Sequence, residues 1–538
     1  MQFFLESIKK SAMSSKHKLK KVPLSFITNP ILQKLAQRRV AQWNQHALHP
    51  KKIQIQTLLD YCQKAAQTEF GKEHGLATVK SYEEYKKRVP LRLYSDFEHY
   101  IDKMKNGVKD ILWPGLIPYF GMSSGSSNTA AQHKFLPISM QQVFFQRKMG
   151  FDLIARYLAL TKDQEFTAGF HLGLLPPSTI KVENCGIGIA SNPGIMLRHL
   201  PFFARQATIP KRPIRDIADY DEKLKAIANT YLNYNVHSIS GTTCWFSVMF
   251  DNILKEAQML GKQIHTVSEI WPNLRVLFGG GIYAAPYKKI IEEKVGRPIL
   301  LMDNYNATEG GVLAATDSLE QEGMLMIPDR GVFFEFIPRS ENIQVNPIRL
   351  PLWEVEIGRE YSIAVTTCSG LFSYIIGDFI KFTSIFPHRI EFTGRASGVL
   401  SLTQELTSFI EIERSFASAC KANPCTIIDY TATSEVGVDH TGKGRYLFFI
   451  EFEKQPENLI SFLQSVDNEL CQQNRVYKEH RAKDVAILSP RLIVLPKGAS
   501  KAFMKALGYT SIQHKFPRII NEKRKNLLFD LINNNLEI

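Results

Sequence analysis

Apolar residues between Asn29 and Gln67 recur at the spacing of one helix face: Ile31, Leu32, Leu35, Ala36 and Val40, then Ile55, Leu58, Leu59 and Cys62. Polar residues fill the intervals, which predicts a helical, basic preface over residues 1–67. From Ile111 the texture changes. Short apolar runs bounded by Gly and Pro occupy 116–120, 169–175, 236–239, 274–278, 299–302, 331–336 and 361–366, and helical patterns at 140–160, 220–232, 244–260 and 287–294 alternate with several of them. This alternation predicts a mainly parallel α/β sheet system over about the first 390 residues. After Gly394-Arg395 the pattern restarts, with helices over 406–420 and 457–472, a strand pair about the turn His440–Gly444, a strand at 491–495 and a helix at 500–507. The expected organisation is a large α/β N-terminal domain over 1–395 and a smaller α+β domain over 396–538.

Composition narrows the class. With 44 % hydrophobic and 22 % charged residues, the chain is an ordinary globular protein, not a disordered or fibrous one. The net charge of +14 is unevenly spread: residues 1–52 carry +10, residues 479–525 carry +8, and the remainder sums to −4. With the excess confined to the ends, no DNA or RNA partner is expected. Residues 226–250 lack Asp, Glu, Lys and Arg, but Asn229, Asn233, Asn235, His237 and Ser238 interrupt them, so no transmembrane segment is predicted. No apolar stretch follows the N-terminal lysines, so no secretory signal is expected. Seven cysteines, an odd number mostly far apart and with no CxxC, point to a reduced, cytoplasmic protein without a zinc site.

Three motifs carry candidate chemistry. Ser123-Ser124-Gly125-Ser126-Ser127-Asn128-Thr129 follows a predicted strand; small hydroxyl residues there let backbone N–H and Oγ donors reach phosphate oxygens. Gly121-Met122-Ser123-Ser124-Gly125 also matches the GxSxG nucleophile elbow, but that elbow needs a helix to start at once, and the helical pattern begins only near Met140. The second motif is Asp303-Asn304-Tyr305-Asn306-Ala307-Thr308-Glu309-Gly310-Gly311, about twenty residues beyond Gly279-Gly280-Gly281. Both follow short apolar strands, where α/β sheets place ligand loops; Tyr305 offers a face for a base and Glu309 a carboxylate for a hard cation. The third runs from Gly370 through Gly377-Asp378 to Gly394-Arg395. An Asp at a strand end accepts ribose hydroxyls, and an Arg on the exit clamps phosphate.

In this order and spacing the motifs resemble the adenylate-forming enzymes. More closely, the chain resembles the auxin-inducible Gretchen Hagen type-three family of acyl-acid amido synthetases, through Thr68 to Gly75, Val89-Pro90, Ile111 to Gly115, Ser123 to Ser127, Trp271-Pro272-Asn273-Leu274, Tyr305 to Gly310, Tyr374 to Asp378 and Gln513 to Arg518. The resemblance implies a large α/β domain and a mobile smaller domain that use ATP and Mg²⁺ to adenylate a carboxylic acid and pass the acyl group to an amino acid or other amine. It assigns Ser123, Ser124, Gly125, Ser126 and Ser127 to the phosphates, Tyr305, Asn306, Ala307 and Thr308 to the base side, Asp378 to the ribose and Arg395 to the nucleotide. Glu309 is assigned to Mg²⁺ and catalysis, and Lys134 to catalysis. An acyl-CoA ligase and a weakened, non-catalytic binding homologue are the alternatives it leaves open. The acid pocket is expected between Phe145 and Phe250, at residues such as Phe170, His171, Trp245 and Phe246.

The chain departs from the family pattern in places. Ser126-Ser127 replace threonines, and about two extra residues precede Lys134. Ser373-Tyr374-Ile375 stands where the family has Arg-Tyr-Arg, and Gln404-Glu405-Leu406 stands where many members carry Glu-Lys. By analogy with removal of a single preorganised donor, loss of one such cation is worth on the order of 10²–10³ in rate.

Overall fold

The computed structural model describes residues 19–22, 25–126, 133–183, 185–280, 285–341, 347–395, 399–403, 405–437, 442–507 and 516–533. The chain divides into two compact units, residues 1–123 with 133–396 and residues 397–538 with 124–132.

In the first unit, a five-stranded sheet has the order Thr208–Ile209, Phe170–Leu174, Val236–Gly241, Val276–Phe278, Leu300–Met302, every neighbouring pair parallel. Parallel neighbours need crossover connections, and the helices Tyr220–Tyr231, Thr243–Met259 and Ala285–Val295 lie in those connections. The expectation of a mainly parallel system is corrected by the second sheet. Its eight strands run Asn304–Ala307, Gly311–Ala315, Met324–Met326, His388–Arg395, Tyr374–Ile385, Glu360–Thr367, Val332–Pro338, Leu350–Pro351, and every pair is antiparallel. The physical reason is local. From Asn304 onward several connections are turns such as Thr308–Gly310 and Phe386-Pro387, too short for a crossover. Val332–Pro338 is buried at every position, so its apolar run resembles that of a parallel strand.

The helices Ser25–Leu48 and Pro50–Ala65 occupy the expected preface, yet they are built into the first unit. Trp43 is completely buried. Gln54 Nε2 donates to the carbonyls of Pro328 and Val332, both at 2.8 Å, and its Oε1 accepts from Phe334 N at 2.9 Å. Arg39 spans Asp152 and Asp329 at 2.6 and 2.8 Å. The five tryptophans, at 43, 113, 245, 271 and 353, all belong to this unit.

The second unit pairs Thr426–Glu435 antiparallel with Arg445–Lys454, which pairs parallel with Arg491–Leu495. Helices Phe409–Ala422 and Leu459–Gln473 contribute Phe416 and Phe462 to a core with Phe448. This is the smaller α+β architecture expected; part of the turn at His440–Gly444 lies outside the described residues. No helix among the described residues is long and apolar enough to cross a membrane.

Candidate active site

At the carboxyl end of Leu300–Met302, the last parallel strand, the chain passes through Asp303 into the hairpin Asn304–Ala307/Gly311–Ala315. Open α/β sheets present ligands at such ends. Gly279 N donates to Met302 O at 3.0 Å and Asn304 N donates to Gly279 O at 3.1 Å. A Cβ on Gly280 would fall 2.8 Å from Asn304 O, so glycine is what permits this close approach.

Tyr305 is buried, and its hydroxyl donates to Asp378 Oδ2 at 2.8 Å, joining residues 73 positions apart. Asp378 follows Gly377, whose φ is +90°, and lies opposite Arg395 in the strand register. The first motif meets the second through its strand. Tyr119–Ser126 carries Ser123, Ser124, Gly125 and Ser126, and a Cβ on its Gly121 would fall 2.8 Å from Thr308 Cγ2. Ser127 lies outside the described residues.

The turn carrying Glu309 is clamped by its backbone. Gln142 Nε2 donates to the carbonyls of Glu309 at 3.1 Å and Thr308 at 3.3 Å, while its Oε1 accepts from Ser369 Oγ. Ser369 Oγ accepts from Ser139 N at 2.8 Å, and Ser139 Oγ donates to Cys368 O at 2.6 Å while capping the helix Met140–Thr161. Gly311, at φ +86°, ends the turn where a Cβ would lie 2.8 Å from Met149 Sδ. Asn306 and Ala307 complete the hairpin strand, Ala307 buried and Asn306 exposed.

Tyr374 is wholly buried, and burial first, then the charges of Glu309, Tyr94 and Asp378, push its hydroxyl well above the ordinary phenol range. Burial raises Asp303 to about 7. Lys134 Nζ lies 5.6 Å from the centre of the Tyr94 ring, and the Tyr94 hydroxyl oxygen accepts from Phe135 N at 2.9 Å. Glu309 is buried, 8 % exposed, and among the described residues no three metal-ligating side chains cluster.

The departures acquire structural roles. Ser373 is buried at φ +48°, and its Oγ accepts from Arg349 Nη1 at 3.0 Å. Arg349 is paired with Glu335 at 3.3 Å, so a guanidinium reaches position 373 from the residue that precedes the strand Leu350–Pro351. Ile375 N donates to Arg92 O at 2.8 Å. In the second unit, Glu405 is a buried loop clasp: its carboxylate accepts from Leu402 N and Thr403 N, both at 2.7 Å, and from the Tyr446 hydroxyl. Leu406 beside it is buried at φ +50°, and Gln404 lies outside the described residues.

Of the residues expected at an acid pocket, Phe170, Trp245 and Phe246 are buried. His171 is held between Ser238 Oγ and Ser240 Oγ, 2.9 Å from each ring nitrogen, and burial lowers it to about 4. Gln142, Ser369 and Arg349 were not singled out by sequence. Ser139-x-x-Gln142 at the helix start is the one signal, a capping-box spacing.

The pattern of the GH3 family N-terminal domain matches residues 39–240, that of the GH3 family central domain 325–395, and that of the GH3 family C-terminal domain 411–524. The chain belongs to the GH3 family. Among GH3 proteins, jasmonoyl-L-amino acid synthetase GH3.5 of Oryza sativa subsp. japonica is 27 % identical over 308 residues, covering 52 % of this chain and 51 % of the relative. Indole-3-acetic acid-amido synthetase GH3.3 of Arabidopsis thaliana is 21 % identical over 542 residues, covering 87 % and 89 %. The chain thus spans about half the length of the jasmonoyl relatives it matches. The solved structure of the AtGH3.15 acyl acid amido synthetase in complex with 2,4-DB superposes with a TM-score of 0.57 at 18 % identity, covering 93 % of this chain and 96 % of that one. That likeness shows a shared fold.

Proposed function

We propose that this GH3 protein is an ATP-dependent acyl-acid amido synthetase, which adenylates a carboxylic acid and transfers the acyl group to the amine of an amino acid or a similar acceptor. The observation that carries the proposal is the convergence of the hairpin Tyr305–Glu309 with Asp378, through the Tyr305–Asp378 hydrogen bond, and with the strand of the serine loop, through Gly121 and Thr308. The matched relatives bear amido synthetase names. In this reading Asp378 holds the ribose, Tyr305 to Thr308 border the base, Ser123 to Ser127 and Arg395 serve the phosphates, and Lys134 supplies a cation. Glu309 gives Mg²⁺ one carboxylate, a fit for a hard cation that takes its other ligands from phosphate and water and offsets phosphate charge. We also propose a functional division at residue 395, with residues 396–538 as the second domain, and a cytoplasmic site of action.

The test is pyrophosphate release over a panel of acids and amino acids, with products identified by mass. Release that requires ATP and an acid, with amide formed from an amino acid, is expected. ATP binding without pyrophosphate release across the panel would overturn the proposal, and thioester formation with CoA in preference to amide would replace the acceptor.

A further inference from the structure

A short helix on the surface of the first unit combines two features that the proposed chemistry does not use. Phe202 and Phe203, adjacent at the start of Phe202–Ala207, are 74 % and 63 % exposed. Two neighbouring bare aromatic rings form an apolar projection that water does not favour. Around them the sequence holds no Asp or Glu from residue 184 to 215, but it carries Arg198, Arg205, Lys211, Arg212 and Arg215.

Two of these cations bond at the two ends of the helix, and two lie just beyond it. Arg205 Nη2 donates to Leu200 O at 3.2 Å, Lys211 Nζ donates to Gln206 O at 2.9 Å, and Arg215 Nε donates to Pro210 O at 3.0 Å. These three therefore bond to backbone carbonyls and keep their charge, while Arg212 meets Asp216 at 2.8 Å. The charges lie close enough to act on one another. Burial, with Arg212 and Arg205 among the lesser causes, holds Arg215 below its ordinary range.

We infer that the segment from Leu200 to Arg215 is a docking surface for an anionic lipid bilayer, with Phe202 and Phe203 entering the headgroup boundary and Arg205, Lys211, Arg212 and Arg215 meeting lipid phosphates. An apolar tip on a helix that carries and precedes basic residues has the chemistry of peripheral interfacial binding, where buried apolar area and attraction to anionic headgroups act together. This contact is peripheral and is independent of the reading of the nucleotide site.

Co-sedimentation of the full chain with vesicles of phosphatidylcholine, with and without phosphatidylserine, tests it. Binding to the phosphatidylserine vesicles alone is expected, weakening as salt screens the headgroups. The double substitution Phe202→Ser/Phe203→Ser is expected to lower the bound fraction about tenfold without moving the thermal midpoint, because both side chains are exposed. Phe203→Trp is expected to retain binding and to shift its emission to the blue on vesicles. Absence of binding, equal binding to neutral vesicles, or wild-type binding by the double variant would each overturn the inference. So would a self-association abolished by the double substitution in a protein that ignores vesicles, since the occupant would then be a second copy.

Discussion

The bond between Tyr305 and Asp378 ties a hairpin residue to a strand residue far along the chain, so each fixes the other's position. Under the proposed reaction, Asp378→Asn removes the charge that favours ribose hydroxyl donors, and the KM for ATP should rise roughly ten- to a hundredfold with a smaller change in the KM for the acid. Tyr305→Phe loses one hydrogen bond and should raise it by only about fivefold. Steady-state kinetics on both substrates check these values. Asp303 gives a pH signature. Its folded value of about 7 lies above the ordinary 3.8, so the fold favours the protonated acid and stability from this group falls as pH rises from about 4 to about 7. In Asp303→Asn that fall should vanish. The midpoint difference between variant and wild type should move in the variant's favour between pH 5 and pH 8 in a thermal scan.

At the scale of elements, the turn carrying Glu309 is held by a helix start that donates to its backbone carbonyls. Gln142→Met keeps volume but leaves the carbonyls of Thr308 and Glu309 without this donor; kcat should drop about tenfold or more with little change in ATP binding measured by calorimetry. What sequence disclosed here depends on the kind of signal. The strand at 491–495 was predicted at its observed bounds because an apolar run stands alone between polar flanks. Antiparallel pairing in the large sheet was not predicted, since fully buried strands of either sense carry the same apolar run and the distinction lies in the connections. The motif residues Tyr305, Glu309 and Asp378 stood out by residue type at strand ends and received their roles through resemblance, whereas Gln142 acts through main-chain carbonyls that any sequence possesses. Glu405 looked like a lost cation; burial and four accepted hydrogen bonds from its loop and from Tyr446 instead make it a structural clasp.

For the whole molecule, net charge proved a weak guide to partners, because part of the basic preface is neutralised inside the fold. Asp152 is completely buried and accepts from Arg39 at 2.6 and 2.9 Å and from Arg330 at 2.8 and 2.9 Å. Asp152→Asn leaves two buried guanidinium groups short of a countercharge and should destabilise the first unit by about 3–5 kcal/mol, measured by denaturant titration. The helix Ser25–Leu48 is therefore a stabilising element of the large unit and not simply an extension of it. The confinement of all five tryptophans to that unit has a spectroscopic consequence. Indole emission follows the melting of the larger unit alone, while far-ultraviolet circular dichroism sums both, so the separation of the two curves measures how far the units unfold as one.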